Sequence, residues 1–139
     1  MTDLEIKESF DRDGYVVVHD IIDDVALAPI RNLISSKVDT YAVEQHTQGK
    51  LSSLYAEEPF ESRYARICSE QSLSPRDWPF SSFGREFYDL YTLPGVLNVL
   101  RLILGAEVSN LGSPALRTKL PGSVITSFPW HQEMCQQNP

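Results

Sequence analysis

The sequence has few cysteines, few basic residues and no long hydrophobic run. Its two cysteines, Cys68 and Cys135, lie far apart without the spacing of a metal site, so we expect free thiols in a reducing compartment. The 12 Lys and Arg residues are outnumbered by 19 Asp and Glu, and the net charge of -7 argues against nucleic acid or an anionic membrane as partner. No apolar run approaches the roughly 20 residues that span a bilayer. Residues 1–10 do not resemble a secretory signal, which predicts a cytoplasmic protein.

The composition is typical of a globular protein. Hydrophobic residues make up 42% of the chain and charged residues 22%, which is ordinary for a folded domain and unlike a disordered one. The length suits one modest domain better than two. We therefore treat residues 1–139 as a single domain.

Residues 1–105 are predicted to be mainly helical with one early strand. Residues 3–12 are compatible with a helix, and the β-branched run Tyr15–Val18 indicates a buried strand. A helix is predicted from about Pro29, because proline suits the first turn and the following residues have one apolar face. Residues 42–82 indicate short helices and loops. The Pro94–Leu104 segment predicts a helix most clearly, with proline at its start and Gly105 just past its end.

Residues 106–139 predict several short strands. Turn residues such as Pro121-Gly122 separate segments of β-prone composition. The predicted strands are Ala106–Leu111, Ala115–Leu120, Val124–Thr126 and Phe128–Met134. Because strands need partners for their backbone groups, these segments predict the beginning of a sheet with an open edge, which favours self-association.

The pair His131 and Glu133 is the strongest candidate for a metal site. On a strand, residues i and i+2 point to the same face, so one imidazole and one carboxylate could converge on an ion. They would supply two of the three ligands of the 2-His-1-carboxylate triad of non-haem iron(II) oxygenases. A His-x-Glu triplet alone is more often surface decoration, but Phe128 and Trp130 would surround this one with an apolar shell.

Arg117 and Lys119 form a second candidate site. They share one face of the predicted strand Ala115–Leu120, and the pattern alone favours a solvated strand face. The functional interpretation is a cationic pair that holds a carboxylate through charge-assisted hydrogen bonds. Nothing in the sequence around His19 or His46 indicates a metal ligand.

Three stretches together resemble the phytanoyl-CoA dioxygenase family of iron(II)/2-oxoglutarate-dependent oxygenases. They follow the order of the family's N-terminal half and span residues Phe10 to Val18, Leu93 to Val108, and Lys119 to Glu133. The last stretch, with Trp130-His131-Gln132-Glu133, is the most specific.

The resemblance implies an α+β fold in which N-terminal helices pack on the start of a double-stranded β-helix, a jelly-roll-type barrel. It implies Fe(2+) and 2-oxoglutarate as cofactors, a small-molecule substrate and hydroxylation of a C–H bond. His131 and Glu133 would bind the metal, and Lys119 matches, to within a residue, a position that contacts 2-oxoglutarate in the family. Arg117, its neighbour in the cationic pair, is assigned to the same cofactor.

The resemblance covers only part of such an enzyme. The chain has no counterpart of the family's distal histidine and 2-oxoglutarate-binding arginine, so we expect a truncated oxygenase domain that is inactive by itself. The alternative is a non-catalytic module, derived from the same fold, that binds a small ligand or a partner.

Overall fold

A computed structural model describes residues 1–71, 84–109 and 119–120. These residues contain five helices, α1 (Asp3–Asp13), α2 (Asp24–Thr47), α3 (Phe60–Gln71), α4 (Arg85–Tyr91) and α5 (Pro94–Leu104). The chain divides into two compact units. The first comprises Met1–Ser36 and Ser82–Pro114, and the second comprises Lys37–Ser81 and Ala115–Pro139.

Helix α1 is delimited by local caps at both ends. The Thr2 hydroxyl accepts a hydrogen bond from the Glu5 backbone N–H, and the Glu5 carboxylate accepts one from the Thr2 N–H at 2.7 Å, which is a capping box. Gly14 ends the helix with φ of 76° and donates its N–H to the Phe10 carbonyl at 2.8 Å. Glycine adopts this left-handed conformation without steric cost. The predicted helix is confirmed.

Helix α5 packs against α1 in the first unit. It begins at Pro94 and is followed by Gly105, so the predicted Pro94–Leu104 helix is confirmed. A side chain at Gly95 would lie 3.0 Å from Ile21 Cγ2, so glycine allows the α1–α2 connection to approach α5 closely. Among the described residues no single helix is long and apolar enough to cross a membrane. Helices α4 and α5, which meet at an angle of 55°, are together long and apolar enough to do so by length and composition alone.

Helix α2 begins earlier than the sequence predicts. The Asp23 carboxylate accepts a hydrogen bond from the Ala26 N–H at 2.8 Å, so it satisfies a donor that the first turn leaves without a partner. Pro29 therefore lies inside the helix rather than at its start. Proline has no N–H, so the Val25 carbonyl lacks its usual helical partner.

The predicted α+β fold, with helices on the start of a double-stranded β-helix, is wrong for the described residues. They are helical and contain no strand. Tyr15–Val18 is irregular, and so are residues 106–109 at the start of the predicted strand region. Side-chain exposure alternates along Tyr15–Val18, with Tyr15 68% and Val17 60% exposed. The segment thus has the periodicity of a strand, but it lacks the backbone pairing that makes one.

The other predicted strands lie largely outside the described residues. This holds for Val124–Thr126 and Phe128–Met134, and for Ala115–Leu120 except its last two residues. Lys119 and Leu120 are described and are not in a strand.

Candidate functional site

The structure describes only one of the four predicted site residues. His131, Glu133 and Arg117 lie outside the described residues, whereas Lys119 is described and exposed. The other two histidines, His19 and His46, are exposed. In residues 1–71, 84–109 and 119–120, no group of three His, Cys, Asp or Glu side chains could hold a metal ion. The two predicted ligands therefore remain a prediction from the sequence.

The second unit contains a network of polar and aromatic side chains between α2 and α3. The Tyr41 and Tyr64 rings meet edge to face with centroids 6.5 Å apart, an arrangement that aromatic pairs favour. The Tyr41 hydroxyl donates to Gln71 Oε1 at 2.8 Å, and Gln71 Nε2 donates to Gln45 Oε1 at 3.1 Å. Side chains of α2 thus contact side chains of α3 that are 23 to 30 positions away in the sequence.

Cys68 lies at the centre of this helix pair and is almost completely buried, with 1% of its surface exposed. Burial raises the pKa of the thiol, and this effect exceeds the opposite effect of its hydrogen bond with Tyr64. The thiolate is the nucleophilic form of cysteine. Cys68 therefore remains protonated at neutral pH and has the character of a structural residue rather than a nucleophile.

Arg63 joins α3 both to α2 and to the loop between the two helices. Its Nη1 donates to Asp39 Oδ1 at 2.5 Å, and its Nη2 donates to the Leu54 carbonyl at 3.1 Å. The Arg63 side chain is only 13% exposed, and its Nε is buried without a hydrogen-bond partner. The Arg63 guanidinium thus donates two hydrogen bonds through its terminal nitrogens. Its buried Nε–H donates none, and a buried donor without a partner lowers the stability of the folded state.

Glu70 binds the same loop two turns further along α3. Its carboxylate accepts hydrogen bonds from the Ser52 N–H, at 2.7 Å, and from the Tyr55 hydroxyl. The Arg66 guanidinium lies 5.7 Å from the centroid of the Tyr55 ring, within the range of a cation–π interaction. The hydrogen bond from Tyr55, followed by the one from Ser52, lowers the pKa of Glu70.

The lowered pKa of Glu70 predicts a pH dependence of stability. Because the folded-state pKa lies below the ordinary value of 4.5, the charged carboxylate stabilises the folded protein above that pH, and the contribution is lost as the pH falls through the folded-state pKa. Thermal unfolding between pH 6 and pH 3 should therefore show a smaller acid-induced decrease in Tm for Glu70→Gln than for the wild type. Glu57→Gln, which removes an exposed glutamate from the connection between α2 and α3, is the control. Equal decreases in all three proteins would contradict the prediction.

The sequence predicts only short helices and loops for residues 42–82, so the contacts of Arg63 and Glu70 were missed. One signal was available, because Arg63, Arg66, Ile67 and Glu70 have the spacing i, i+3, i+4 and i+7. That spacing places four side chains on one side of a helix. It does not identify Ser52, Leu54 and Tyr55 as their partners.

The described arrangement connects secondary-structure elements and does not indicate catalysis. The Glu70 carboxylate accepts two hydrogen bonds, the Cys68 thiol is protonated, and Arg63 pairs with Asp39. Catalytic groups are instead expected to lie in a cleft with a free reactive atom. Comparisons with known proteins add no family, because no family model, curated protein or solved structure matches this chain.

Proposed function

We propose that the chain contributes two metal ligands, His131 and Glu133, to the iron(II) site of a cytoplasmic 2-oxoglutarate-dependent oxygenase that acts on a small molecule. The single observation that supports the proposal is the segment Trp130-His131-Gln132-Glu133, preceded at a short distance by Lys119. An imidazole with a carboxylate matches the ligand preference of non-haem iron(II). Iron(II), when bound, activates dioxygen for oxidation of a C–H bond.

The residues of the chain have separate roles in this proposal. His131 would hold the metal through a ring nitrogen and Glu133 through a carboxylate oxygen. The Lys119 ammonium, together with the Arg117 guanidinium, would pair with a carboxylate of 2-oxoglutarate through charge-assisted hydrogen bonds. Phe128 and Trp130, as apolar neighbours in sequence, would limit the access of water to the metal and strengthen these electrostatic interactions.

The isolated chain is expected to bind iron weakly and to lack turnover. A facial triad needs a second histidine, and the remaining histidines, His19 and His46, are both exposed. Neither belongs to a metal-binding group within the described part of the chain. A two-ligand site also leaves the co-substrate without a fixed position, so succinate release with iron and 2-oxoglutarate should not exceed the background without protein.

Removal of either proposed ligand should weaken metal binding. We expect His131→Ala and Glu133→Ala each to lower the affinity for Mn²⁺, used as a redox-inert substitute for iron(II), by at least about tenfold, since even residues that only orient metal ligands have effects of this size. Glu133→Asp should retain more affinity than Glu133→Ala. Isothermal titration calorimetry or the electron paramagnetic resonance signal of free Mn²⁺ measures the affinity.

The control for this experiment is His46→Ala, which removes an exposed imidazole from the last turn of α2. It should leave Mn²⁺ affinity unchanged. Equal affinity in the wild type and His131→Ala would contradict the proposal, and so would an equal loss in His46→Ala. Circular dichroism of each variant distinguishes loss of the ligand from loss of the fold.

A non-catalytic module that binds a small ligand or a partner is the second candidate. Two observations favour it. The regular secondary structure of the described residues is all helical, and the first unit has exposed apolar side chains. Leu4, Val17 and Leu104 are 65%, 60% and 62% exposed, and exposed apolar side chains mark an interaction site where they form one contiguous patch. This candidate predicts that His131→Ala and Glu133→Ala have no effect on Mn²⁺ binding, so the same titration separates the two functions.

A further inference from the structure

The segment Ser52–Tyr55, which we name the strap, lies along one side of α3. It is attached to the helix at two residues, Arg63 and Glu70. The Ser52 N–H and the Tyr55 hydroxyl bind Glu70, and the Leu54 carbonyl binds Arg63. Arg63 and Glu70 are two turns apart on the same side of the helix, so the strap binds α3 at two separate points of that side.

Ile67 lies on that side of the helix, between Arg63 and Glu70 in sequence and in space. Its side chain is completely buried, with 0% exposed. Arg63, Ile67 and Glu70 thus share one side of α3.

The conformation of Tyr55 costs energy. Its φ is 50°, in the left-handed region that a bulky residue rarely adopts. Such a conformation persists only when surrounding contacts hold it. The contacts that hold Tyr55 include the hydrogen bond to Glu70 and the Arg66 guanidinium over its ring. Its N–H donates to Ser53 Oγ and its carbonyl accepts from the Glu58 N–H, both at 3.2 Å.

Both ends of the strap are fixed, whereas its centre is held by exposed contacts. Leu51, just before it, is buried with 4% of its surface exposed. Pro59, after it, accepts the first backbone bonds of α3 from Ser62 and Arg63 at 3.0 and 2.9 Å. Between these points the bonds to Glu70 and Arg63 are exposed, and segments with exposed hydrogen bonds open at low free-energy cost.

We infer that residues 52–55 detach from α3 together, in one opening motion, and that the two hydrogen bonds to the Glu70 carboxylate hold the strap closed. In the closed state Glu70 holds two strap residues at once and compensates the strain at Tyr55. In the open state Tyr55 returns to an ordinary backbone conformation, and the Glu70 carboxylate and the Arg63 guanidinium lose their strap partners. This inference concerns the second unit and does not depend on the proposed metal site.

Hydrogen–deuterium exchange of the strap amides tests the inference. Glu70→Gln removes the charge and one of the two acceptor oxygens, so amide exchange in residues 52–58, the strap and the three residues after it, should accelerate by about tenfold. Exchange in the helical residues of α2 and α3 should change much less. Tyr55→Phe keeps the ring over Arg66 and removes only the hydroxyl, so it should accelerate the same amides by a smaller factor.

Two controls make the result specific. Glu57→Gln removes an exposed charge near the strap and should leave exchange unchanged. The double variant Tyr55→Phe with Glu70→Gln should accelerate exchange less than the product of the two single effects, because the two groups share one hydrogen bond. Wild-type exchange in Glu70→Gln would overturn the inference. Equal acceleration throughout α2, α3 and the strap would also overturn it, since this indicates global destabilisation.

Discussion

Replacing Ile67 with alanine is expected to lower the free energy of unfolding by about 2–5 kcal/mol. Ile67 is completely buried in α3, with 0% of its surface exposed. The substitution removes buried methyl and methylene groups and leaves a cavity that the surrounding side chains fill only in part. Urea denaturation followed by circular dichroism measures the change.

The control for this variant is Val43→Ala in α2, where the valine is 52% exposed. Substitutions at exposed positions usually change the free energy of unfolding by no more than about 0.5 kcal/mol. A cost below roughly 1 kcal/mol for Ile67→Ala would contradict the burial that the structure assigns to this side chain. A cost within the expected range together with a smaller m-value would indicate that less surface is exposed on unfolding.

The helices that the sequence predicts well are those with local start and stop signals. Thr2 and Gly14 delimit α1, and Pro94 and Gly105 delimit α5, so a few adjacent residues determine each helix. Pro29 shows the limit of such signals. Proline suits the first turn of a helix, but the Asp23 carboxylate caps α2 one and a half turns earlier, and the cap determines where the helix begins.

The strand predicted at Tyr15–Val18 failed for a reason that no local pattern contains. Alternating exposure needs only an extended segment with one side against the protein, whereas a strand also needs a neighbouring backbone. The polar network of the second unit was missed for a similar reason. Tyr41 and Gln71 are hydrogen-bonded across 30 positions, and neither residue identifies the other in the sequence.

The candidate metal ligands, in contrast, are visible in the sequence alone. His131 and Glu133 are recognisable because a strand-like i, i+2 spacing and two ligand types suffice to suggest a metal. The resemblance in sequence motifs led also to a β-helix, which the helical structure of the described residues contradicts. The metal proposal therefore depends on the chemistry of these two side chains and on the direct binding measurement, and not on a fold.

Replacing Arg63 separates the contribution of its charge from that of its aliphatic stem. Arg63→Ala removes the hydrogen bonds to Asp39 and the Leu54 carbonyl together with the packing of the stem, so we expect a loss of about 2–4 kcal/mol. Arg63→Met keeps most of the stem and removes the buried Nε that has no partner. Because the Asp39 side chain is 59% exposed, water can hydrate it, and the methionine variant should remain within about 1 kcal/mol of the wild type.

Urea denaturation measures both variants, with Arg85→Ala as the matched control. Arg85 also pairs with an aspartate, Asp89, but its side chain is 87% exposed, so its loss should change the free energy of unfolding by less than about 0.5 kcal/mol. An equal loss in Arg63→Met and Arg63→Ala would contradict the prediction and assign the stabilisation to the ion pair. Arg63→Lys then distinguishes charge from geometry, because lysine keeps the positive charge but cannot reach Asp39 and the Leu54 carbonyl with a planar fork.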